Sequence, residues 1–282
     1  MGPRGGAVSY LERFKVRSAS HLRLAGIDPA FKDRHENRDA ALEETSHFSE
    51  RLRVLQDLLY AEGRRSLLIC LQAMDTGGKD GVINHVLAAM NPQGCRVAHF
   101  RQPSPEEAAH DFLWRAHRVA PGRGEVVIFN RSHYEAVLIE RVHGLVPKEV
   151  WTARYERINE FERALADGGT QILKFYLHIS SDEQLARFKQ RLDDPAKQWK
   201  ISEADYAERK LWPQYMAAYE DALSRCNTSC APWFVIPANH KWFRNLAVAR
   251  IVTEHLEGLG LTYPKPTVDL AHIRREYHAA SE

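Results

Sequence analysis

The fold of this sequence is constrained most by a continuous apolar run, which is followed at once by a glycine-bearing turn and then by helix-favouring residues. The run SLLICLQA occupies 66–73, the turn MDTGGKDG occupies 74–81, and VINHVLAAM follows at 82–90. An uninterrupted apolar run of this length is typical of a β-strand that is buried on both faces, as in parallel sheets. The segment therefore predicts one strand–turn–helix unit of an α/β domain.

The same alternation recurs along the chain. Further apolar runs lie at 95–100, 125–130, 170–179 and 231–237, and helical patterns lie at 38–62, 105–119, 147–169, 182–193, 202–225 and 240–258. Strands that alternate with helices favour a parallel sheet with helices on both sides. We therefore expect an α/β fold, a three-layer sandwich around a central parallel sheet of five strands.

Composition and length fit one globular domain with short extensions. The chain has 282 residues, of which 27% are charged and 44% hydrophobic, which is typical of a folded protein. We predict an N-terminal arm at 1–37, a main domain at 38–260 with a helical lid at about 182–225, and a polar C-terminal tail at 261–282.

Net charge, hydrophobic runs and cysteine spacing indicate the expected partners and cellular location. The formal net charge is only +2, so we expect neither nucleic acid nor membrane as a partner. No apolar run reaches the ~18 residues of a membrane span, and the N-terminus does not read as a secretory signal. The four cysteines lack metal-binding spacing. These features predict a cytoplasmic protein with reduced structural thiols.

The turn at 74–81 fits a phosphate-binding loop with two departures. In the template G-x-x-x-x-G-K-[ST], Gly78 and Lys79 match, whereas Ala73 and Asp80 replace the first glycine and the hydroxyl residue. Small residues let backbone N–H groups converge on phosphate oxygens, and the lysine adds a full charge. The phosphate-binding candidates are Thr76, Gly77, Gly78, Lys79, Asp80 and Gly81. A glycine-rich turn with a surface lysine stays open as the alternative.

The loop also suggests a metal ion. The missing Ser/Thr hydroxyl would normally contact Mg²⁺, so a metal here needs other oxygen ligands. Asp75 and Asp80 flank Lys79, and carboxylates are hard ligands that Mg²⁺ prefers. The alternative for Asp75 is an ordinary turn residue.

A second polar segment follows the strand at 125–130. In open α/β sheets, sites gather beyond the carboxyl ends of the strands. Asn130 ends this strand and could bind or orient a water. Arg131 could donate two hydrogen bonds to phosphate oxygens. We assign no base role to His133, because a phosphate acceptor is already ionised and positioning and charge neutralisation suffice.

Basic residues cluster in the predicted lid. The segment RFKQRLDDPAKQWK at 187–200 places Arg187 and Arg191 on one helix face, where they could grip a polyanion longer than a nucleotide tail. A solvated charged helix is the alternative. Lys241 follows the last strand and is expected at the same edge of the sheet.

Together these segments resemble a known family. AMDTGGKDG, IFNRSHYE and RLDDPAKQWK, in this order and spacing, resemble the polyphosphate kinase 2 family from about Phe31 to Leu256. WPQYMAAYEDAL and APWFVIPANHKWF support the match. The resemblance implies a thymidylate-kinase-like P-loop fold with a helical lid. It also implies reversible phosphoryl transfer between inorganic polyphosphate and a nucleotide with Mg²⁺, for which Mn²⁺ is the alternative.

The resemblance also implies residue roles. Lys79 and its loop would hold the phosphates, Asp75 would be the metal-linked aspartate, and Arg131 would contact the phosphates being exchanged. The polyphosphate channel would be lined by Arg187, Arg191, Lys197 and Lys200. Asn130 resembles the subgroup that accepts both nucleoside monophosphates and diphosphates; we place it beside the metal and nucleotide, with Glu135 near the acceptor. The family also implies a homodimer or homotetramer.

Our hypothesis is a polyphosphate:nucleotide phosphotransferase that converts AMP and ADP to ADP and ATP. Two alternatives stay open. An ATP-dependent nucleoside monophosphate kinase on the same fold would require a nucleotide donor, and a non-catalytic polyphosphate or nucleotide-binding module would bind without turnover.

Overall fold

The computed structural model describes residues 9–17, 22–35 and 37–280. The strands are β1 (Ser66–Ala73), β2 (Cys95–His99), β3 (Val126–Asn130), β4 (Thr170–His178) and β5 (Trp233–Pro237). The helices are α1 (Tyr10–Arg13), α2 (Arg38–Glu62), α3 (Lys79–His85), α4 (Pro105–Ala108), α5 (Trp114–His117), α6 (Ile139–Val142), α7 (Lys148–Asp167), α8 (Ser181–Asp193), α9 (Glu203–Lys210), α10 (Trp212–Arg225), α11 (Lys241–Gly258) and α12 (Leu270–Ala279).

The five strands form one parallel sheet with β1 at its centre. The order is β2-β3-β1-β4-β5, and Leu71 of β1 pairs with Asn130 of β3 on one side and with Phe175 of β4 on the other. Every residue of β1 is buried, as expected for a strand with neighbours on both sides and helices on both faces. The register brings the carboxyl ends of β1, β3 and β4 to one edge.

Side chains of β1 alternate between the two helical layers. Leu67, Ile69 and Leu71 belong to a cluster that includes Leu52 of α2 and many residues of α11. Leu68 and Cys70 instead pack in a cluster with Phe161 of α7. These two apolar layers confirm the predicted three-layer α/β sandwich.

The described part of the N-terminal segment packs into the main core. Tyr10 and Phe14 are buried and contact Phe243 of α11 through their rings. The backbone of Val16 donates to Trp233 O at 2.8 Å, and Val235 N donates to Phe14 O at 3.0 Å. Residues 9–17 therefore cover the outer strand β5. The predicted division at residue 37 stays a prediction.

Two predicted helices are interrupted. The prediction of one continuous helix at 105–119 is wrong, because the chain leaves the helical conformation between α4 and α5. There the Asp111 side chain accepts a hydrogen bond from Leu113 N at 2.9 Å and closes a local turn. The expected helix at 202–225 is two helices, α9 and α10, which meet at Leu211. Pro213 lies in the first turn of α10, where its missing N–H disfavours continuation from α9.

The C-terminal tail contains a helix that the polar composition did not indicate. Asp269 caps α12, because its carboxylate accepts from the backbone N–H groups of Ala271 and His272 at 2.9 and 3.1 Å. Across the described ranges, no helix is long and apolar enough to cross a bilayer. The cysteines Cys70, Cys95, Cys226 and Cys230 are free thiols.

Candidate active site at the carboxyl edge of the sheet

The glycine loop between β1 and α3 folds back tightly on the end of its strand. Gly77 N donates to Met74 O at 2.9 Å, and Thr76 and Gly78 adopt left-handed φ angles of 64° and 102°. A Cβ atom at residue 77 would lie 2.4 Å from Ala73 Cβ, so only glycine fits there. The Thr76 hydroxyl is buried and has no hydrogen-bond partner among the described residues. A buried hydroxyl in this state is suited to a ligand oxygen.

Lys79 opens α3 and turns its ammonium back across the loop. Nζ lies 3.3 Å from Ala73 O, the last residue of β1. Burial, with the charge of Arg131 as a second cause, lowers the pKa of Lys79, whereas Asp75, Glu135 and Asp80 oppose that shift. The ammonium is therefore held at the mouth of the loop among both signs of charge.

Arg131 lies between two carboxylates beyond the end of β3. Its Nη2 is 3.1 Å from Asp75 Oδ1, and its Nη1 is 3.5 Å from Glu135 Oε2. Burial raises the pKa of Glu135, which Arg131 and Lys79 counteract. The Arg131 side chain keeps 39% of its surface exposed, so the guanidinium is oriented by its neighbours and still accessible to a ligand.

Asn130 is joined to the loop from the end of β3. Its Nδ2 donates to Asp80 Oδ1 at 2.8 Å, and the residue is 8% exposed. This hydrogen bond fixes the loop carboxylate against the neighbouring strand. It also brings Asn130 and Arg131, at the carboxyl end of β3, close to Asp75 and Asp80, which follow the carboxyl end of β1.

The loop carries part of a metal-ligand set. Within the described ranges, no group of three or more His, Cys, Asp and Glu residues could by itself hold a metal ion. Asp75 and Asp80 offer hard carboxylate oxygens on either side of Lys79. Mg²⁺ commonly takes one or two protein carboxylates and completes its shell with water and substrate phosphates. The residues present fit that mode of binding rather than a closed metal cage.

Helix α8, in the region predicted to be a lid, is hydrogen-bonded to the backbone of the loop. Gln184 Nε2 donates to Asp75 O at 3.1 Å, and Arg187 Nη1 donates to Thr76 O at 2.8 Å. Arg187 Nη2 also donates to Ala238 O at 2.6 Å, and the residue is 4% exposed. The guanidinium of Arg187 therefore supports the loop backbone from behind, and its role in a polyphosphate channel stays a prediction.

The other three cations predicted to bind polyphosphate have partners within residues 191–200. Arg191 Nη1 donates to Lys200 O at 3.0 Å, and Lys197 Nζ is 2.6 Å from Asp194 Oδ2. Lys200 Nζ lies 4.9 Å from the centroid of the Trp199 ring. These are mainly exposed, local contacts, which are weak in water. Their assignment to polyphosphate binding stays a prediction.

A buried polar network beneath the site was missed by sequence reasoning. Lys174 Nζ donates to Glu162 Oε2 at 2.6 Å and to Tyr134 OH at 2.9 Å. His133 Nε2 lies 3.2 Å from Glu162 Oε1, so His133 faces the interior. A lysine inside the apolar run of β4 was the available signal, because buried lysines need partners. The network anchors the segment between Arg131 and Glu135.

Arg244 of α11 was also missed. Its guanidinium covers the loop glycines: a Cβ atom at Gly78 would lie 1.7 Å from Nη1, and one at Gly81 would lie 2.5 Å from Nη2. A signal existed, since Lys241 and Arg244 are cations in the first turn of a helix, where the helix dipole disfavours them.

A parallel sheet whose central strand ends in a glycine loop with a lysine, next to an arginine held by carboxylates, defines a phosphotransferase of the P-loop class. Comparison with known proteins identifies the family within this class. The family model "Polyphosphate kinase 2 (PPK2)" matches residues 35–261. The chain belongs to the polyphosphate kinase 2 family.

Similar proteins cover most of the chain. The AMP/ADP-polyphosphate phosphotransferase of Meiothermus ruber is 51% identical over 91% of this chain and 96% of its own length. The ADP-polyphosphate phosphotransferase of Rhodopseudomonas palustris is 48% identical over 77% of this chain and 80% of its own length. The crystal structure of polyphosphate kinase 2 from Arthrobacter aurescens TC1 superposes with a TM-score of 0.92 and 43% identity, covering 96% of this chain and 97% of that one.

Proposed function

We propose that this enzyme transfers phosphoryl groups from inorganic polyphosphate to AMP and ADP, reversibly, to give ADP and ATP. The observation that carries the proposal is the convergence of Lys79, Asp75 and Arg131 at one edge of the sheet, with Arg131 Nη2 3.1 Å from Asp75 Oδ1. The names of the Meiothermus ruber and Rhodopseudomonas palustris relatives support this choice of donor and acceptor.

The reaction needs charge neutralisation more than proton transfer. A terminal phosphate oxygen of AMP or ADP attacks the end phosphorus of the polyphosphate. One P–O bond forms to the nucleotide, and the bond to the bridging oxygen breaks, so the donor leaves one phosphate shorter. The acceptor oxygen is already anionic, so no base is required. His133 is buried against Glu162, which is compatible with that description.

Two cations would act on the transferred group, and a third side chain would orient one of them. The Lys79 ammonium offsets the charge of the phosphoryl oxygens, and Arg131 donates to the same group from the adjacent strand. Glu135, 3.5 Å from Arg131, orients the guanidinium from the acceptor side. Preorganised cations of this kind stabilise the charge of the transition state because they need not reorganise during the reaction.

Mg²⁺ is the divalent metal we propose, with Mn²⁺ as an alternative. Asp75 and Asp80 would hold it together with substrate oxygens, and Asn130 would fix the position of Asp80 through the hydrogen bond of 2.8 Å. When bound, the metal would neutralise phosphate charge. The assignments of Asp75 and Asn130 to the metal site are predictions.

A direct assay tests the proposal. Purified protein is incubated with AMP, Mg²⁺ and polyphosphate in the absence of ATP, and nucleotides are separated by chromatography. We expect ADP first and ATP afterwards. A folded protein that forms no ADP under these conditions, or that forms it only when ATP is added as donor, would contradict the proposal. The second outcome would identify an ATP-dependent nucleoside monophosphate kinase instead.

Location and assembly belong to the proposal as well. We predict a cytoplasmic enzyme that forms a homodimer or homotetramer. The family resemblance supports the oligomer, and size-exclusion chromatography with light scattering measures it.

A further inference from the structure

A buried amide interrupts the apolar central strand one residue before its end. Gln72 of β1 is 0% exposed, and all other residues from Leu67 to Ala73 are apolar. Because side chains alternate along a strand, Gln72 lies on the same face as Leu68 and Cys70, which belong to the apolar layer on the α7 side. A buried polar side chain in such a layer has a reason other than core packing.

The Gln72 amide holds the turn that follows β3 at two points. Its Nε2 donates to Ser132 Oγ at 3.0 Å, and Ser132 is itself fully buried. Gln72 also hydrogen-bonds the Glu135 carboxylate, and a hydrogen bond to an ionised group is stronger than one between neutral groups. One side chain of β1 therefore fixes both ends of the segment 132–135.

Arg131, which directly precedes this segment, has a backbone conformation that needs such support. Its φ is 60°, in the left-handed region that residues other than glycine rarely adopt. Its N–H donates to Leu71 O at 3.1 Å, next to Gln72 in β1. A strained backbone persists only where its surroundings fix it, and such residues cluster at functional sites. The contacts with β1 therefore fix the backbone from which the Arg131 guanidinium reaches Asp75 and Glu135.

The amide of Gln72 also has a destabilising side. Its Oε1 is buried and has no hydrogen-bond partner within the described ranges. A buried polar atom without a partner destabilises the folded state, whereas an apolar side chain of similar size would avoid that penalty. Local features that oppose stability are expected at functional sites. The glutamine is therefore better explained by the geometry of the site than by the stability of the sheet.

We propose that Gln72 is a positioning residue for phosphoryl transfer, which holds Ser132 and Glu135 so that the Arg131 guanidinium faces the transferred group. The inference rests on the proposed function and adds a residue to that site. Because Gln72 is fully buried, it acts through its neighbours and not on the substrates. Burial raises the pKa of Glu135, and Arg131, Lys79 and Gln72 oppose that shift, so the contact also favours the ionised carboxylate that pairs with Arg131.

Gln72→Met tests this role, because methionine fills a similar volume without the polar amide. We expect kcat for ATP formation from ADP and polyphosphate to fall about tenfold, since a misplaced Arg131 stabilises the transition state less. The KM for polyphosphate should change less than about twofold. The melting temperature should stay within about 3 °C of the wild-type value, because the buried partnerless oxygen is lost together with the hydrogen bonds.

Gln56→Met is the matched control. Gln56 of α2 is also a fully buried glutamine, and its Nε2 has no hydrogen-bond partner in the described part of the chain. Its Oε1 accepts from Asn91 N at 3.0 Å, shortly before the amino end of β2 and so away from the carboxyl edge that carries the site. This variant should lower the melting temperature and keep the wild-type kcat.

Ser132→Ala removes the other partner of the contact. If both residues act through the same geometry, the double variant of Gln72→Met and Ser132→Ala should lose less kcat than the product of the two single effects. If Gln72→Met does not fold, Ser132→Ala decides the proposal through the same comparison of kcat, KM and melting temperature.

Two failures are distinguishable. A wild type that makes no ADP or ATP from polyphosphate refutes the proposed function. An active wild type refutes the positioning role alone if Gln72→Met keeps the wild-type kcat, or if kcat falls only together with a melting temperature lowered as in Gln56→Met. Fully multiplicative effects in the double variant would also contradict the positioning role.

Discussion

Asn130 donates its side-chain amide to the Asp80 carboxylate at 2.8 Å, so the end of β3 is tied to the loop that follows β1. The contact places a neutral group where an acidic residue would bring a second carboxylate. The loop therefore has a fixed Asp80 oxygen and a lower local density of negative charge than two acids would give.

Replacing Asn130 by Asp tests this relationship. The carboxylate at residue 130 would repel Asp80 and remove the donated hydrogen bond, so we expect a loss of about 1–2 kcal/mol of unfolding free energy in the absence of divalent cations. Mg²⁺ should recover most of this loss, because two adjacent carboxylates bind the metal more tightly. Denaturant unfolding with and without Mg²⁺ measures both effects.

Asn130→Ala is the control for that experiment. It removes the hydrogen bond without adding charge, so its stability should show no additional response to Mg²⁺ relative to the wild type. Equal metal responses of the Asp and Ala variants would refute the charge argument.

Lys79→Ala should greatly slow phosphoryl transfer while the fold remains. Loss of a preorganised cation at the transferred group is expected to reduce kcat/KM about 10²–10³-fold. Burial, with Arg131 as the second cause, lowers the pKa of Lys79, so we expect no fall in the melting temperature when this charge is removed. Kinetics and thermal unfolding on the same preparation provide the check, and near-wild-type turnover would remove Lys79 from the active site.

The elements that were predicted most accurately are those whose signal is local. The run at 66–73 coincides with β1, and the helical pattern at 38–62 coincides with α2. A strand buried on both faces requires a continuous apolar run, and an amphipathic helix requires helical spacing of apolar residues, so both patterns are visible in the sequence. The break at Leu211 depends on Pro213 in a context that also favours helix. Periodicity alone did not reveal it.

The candidate site was predictable to the extent that parallel strands share an edge. Asp75, Lys79 and Arg131 could be brought together by that rule. The burial of Arg187 and the contact of Arg244 with Gly78 could not be predicted in this way. The orientation of each helix relative to the loop is set by tertiary packing. A charge run indicates a basic helix and does not distinguish a cation that binds a ligand from one that binds backbone oxygens.

The buried pair Lys174–Glu162 should respond non-additively to substitution. Although burial alone raises the pKa of Glu162, Lys174 and His133 hold it below the ordinary value, so the carboxylate is ionised. Glu162→Gln should cost about 3–5 kcal/mol, because Lys174 is then buried without its counter-charge. Adding Lys174→Met should recover part of that loss. Denaturant unfolding of the two single variants and the double variant gives the coupling energy, and strictly additive losses would contradict the pairing.

Acid should weaken the fold through a partly buried histidine, His255. Burial, aided by Lys15, lowers the pKa of His255 to about 4, whereas an unfolded histidine titrates near 6.5. Between pH ~6.5 and ~4 the unfolded state binds more protons, so stability decreases as pH falls through this window. We expect His255 to contribute about 1–3 kcal/mol of this loss.

Unfolding free energies at several pH values measure that contribution. His255→Gln should show a shallower decrease than the wild type across the same window. Parallel pH profiles for the two proteins would show that another group is responsible.

We propose that one phosphoryl group passes directly from polyphosphate to a nucleotide at the Lys79 loop, and phosphorus-31 NMR of a single reaction can follow both substrates at once. With polyphosphate, ADP, Mg²⁺ and enzyme, we predict that each ATP formed is matched by the loss of one internal phosphate unit, with no orthophosphate released. Orthophosphate appearing in proportion to polyphosphate loss, or ATP failing to form while polyphosphate is consumed, would contradict direct transfer.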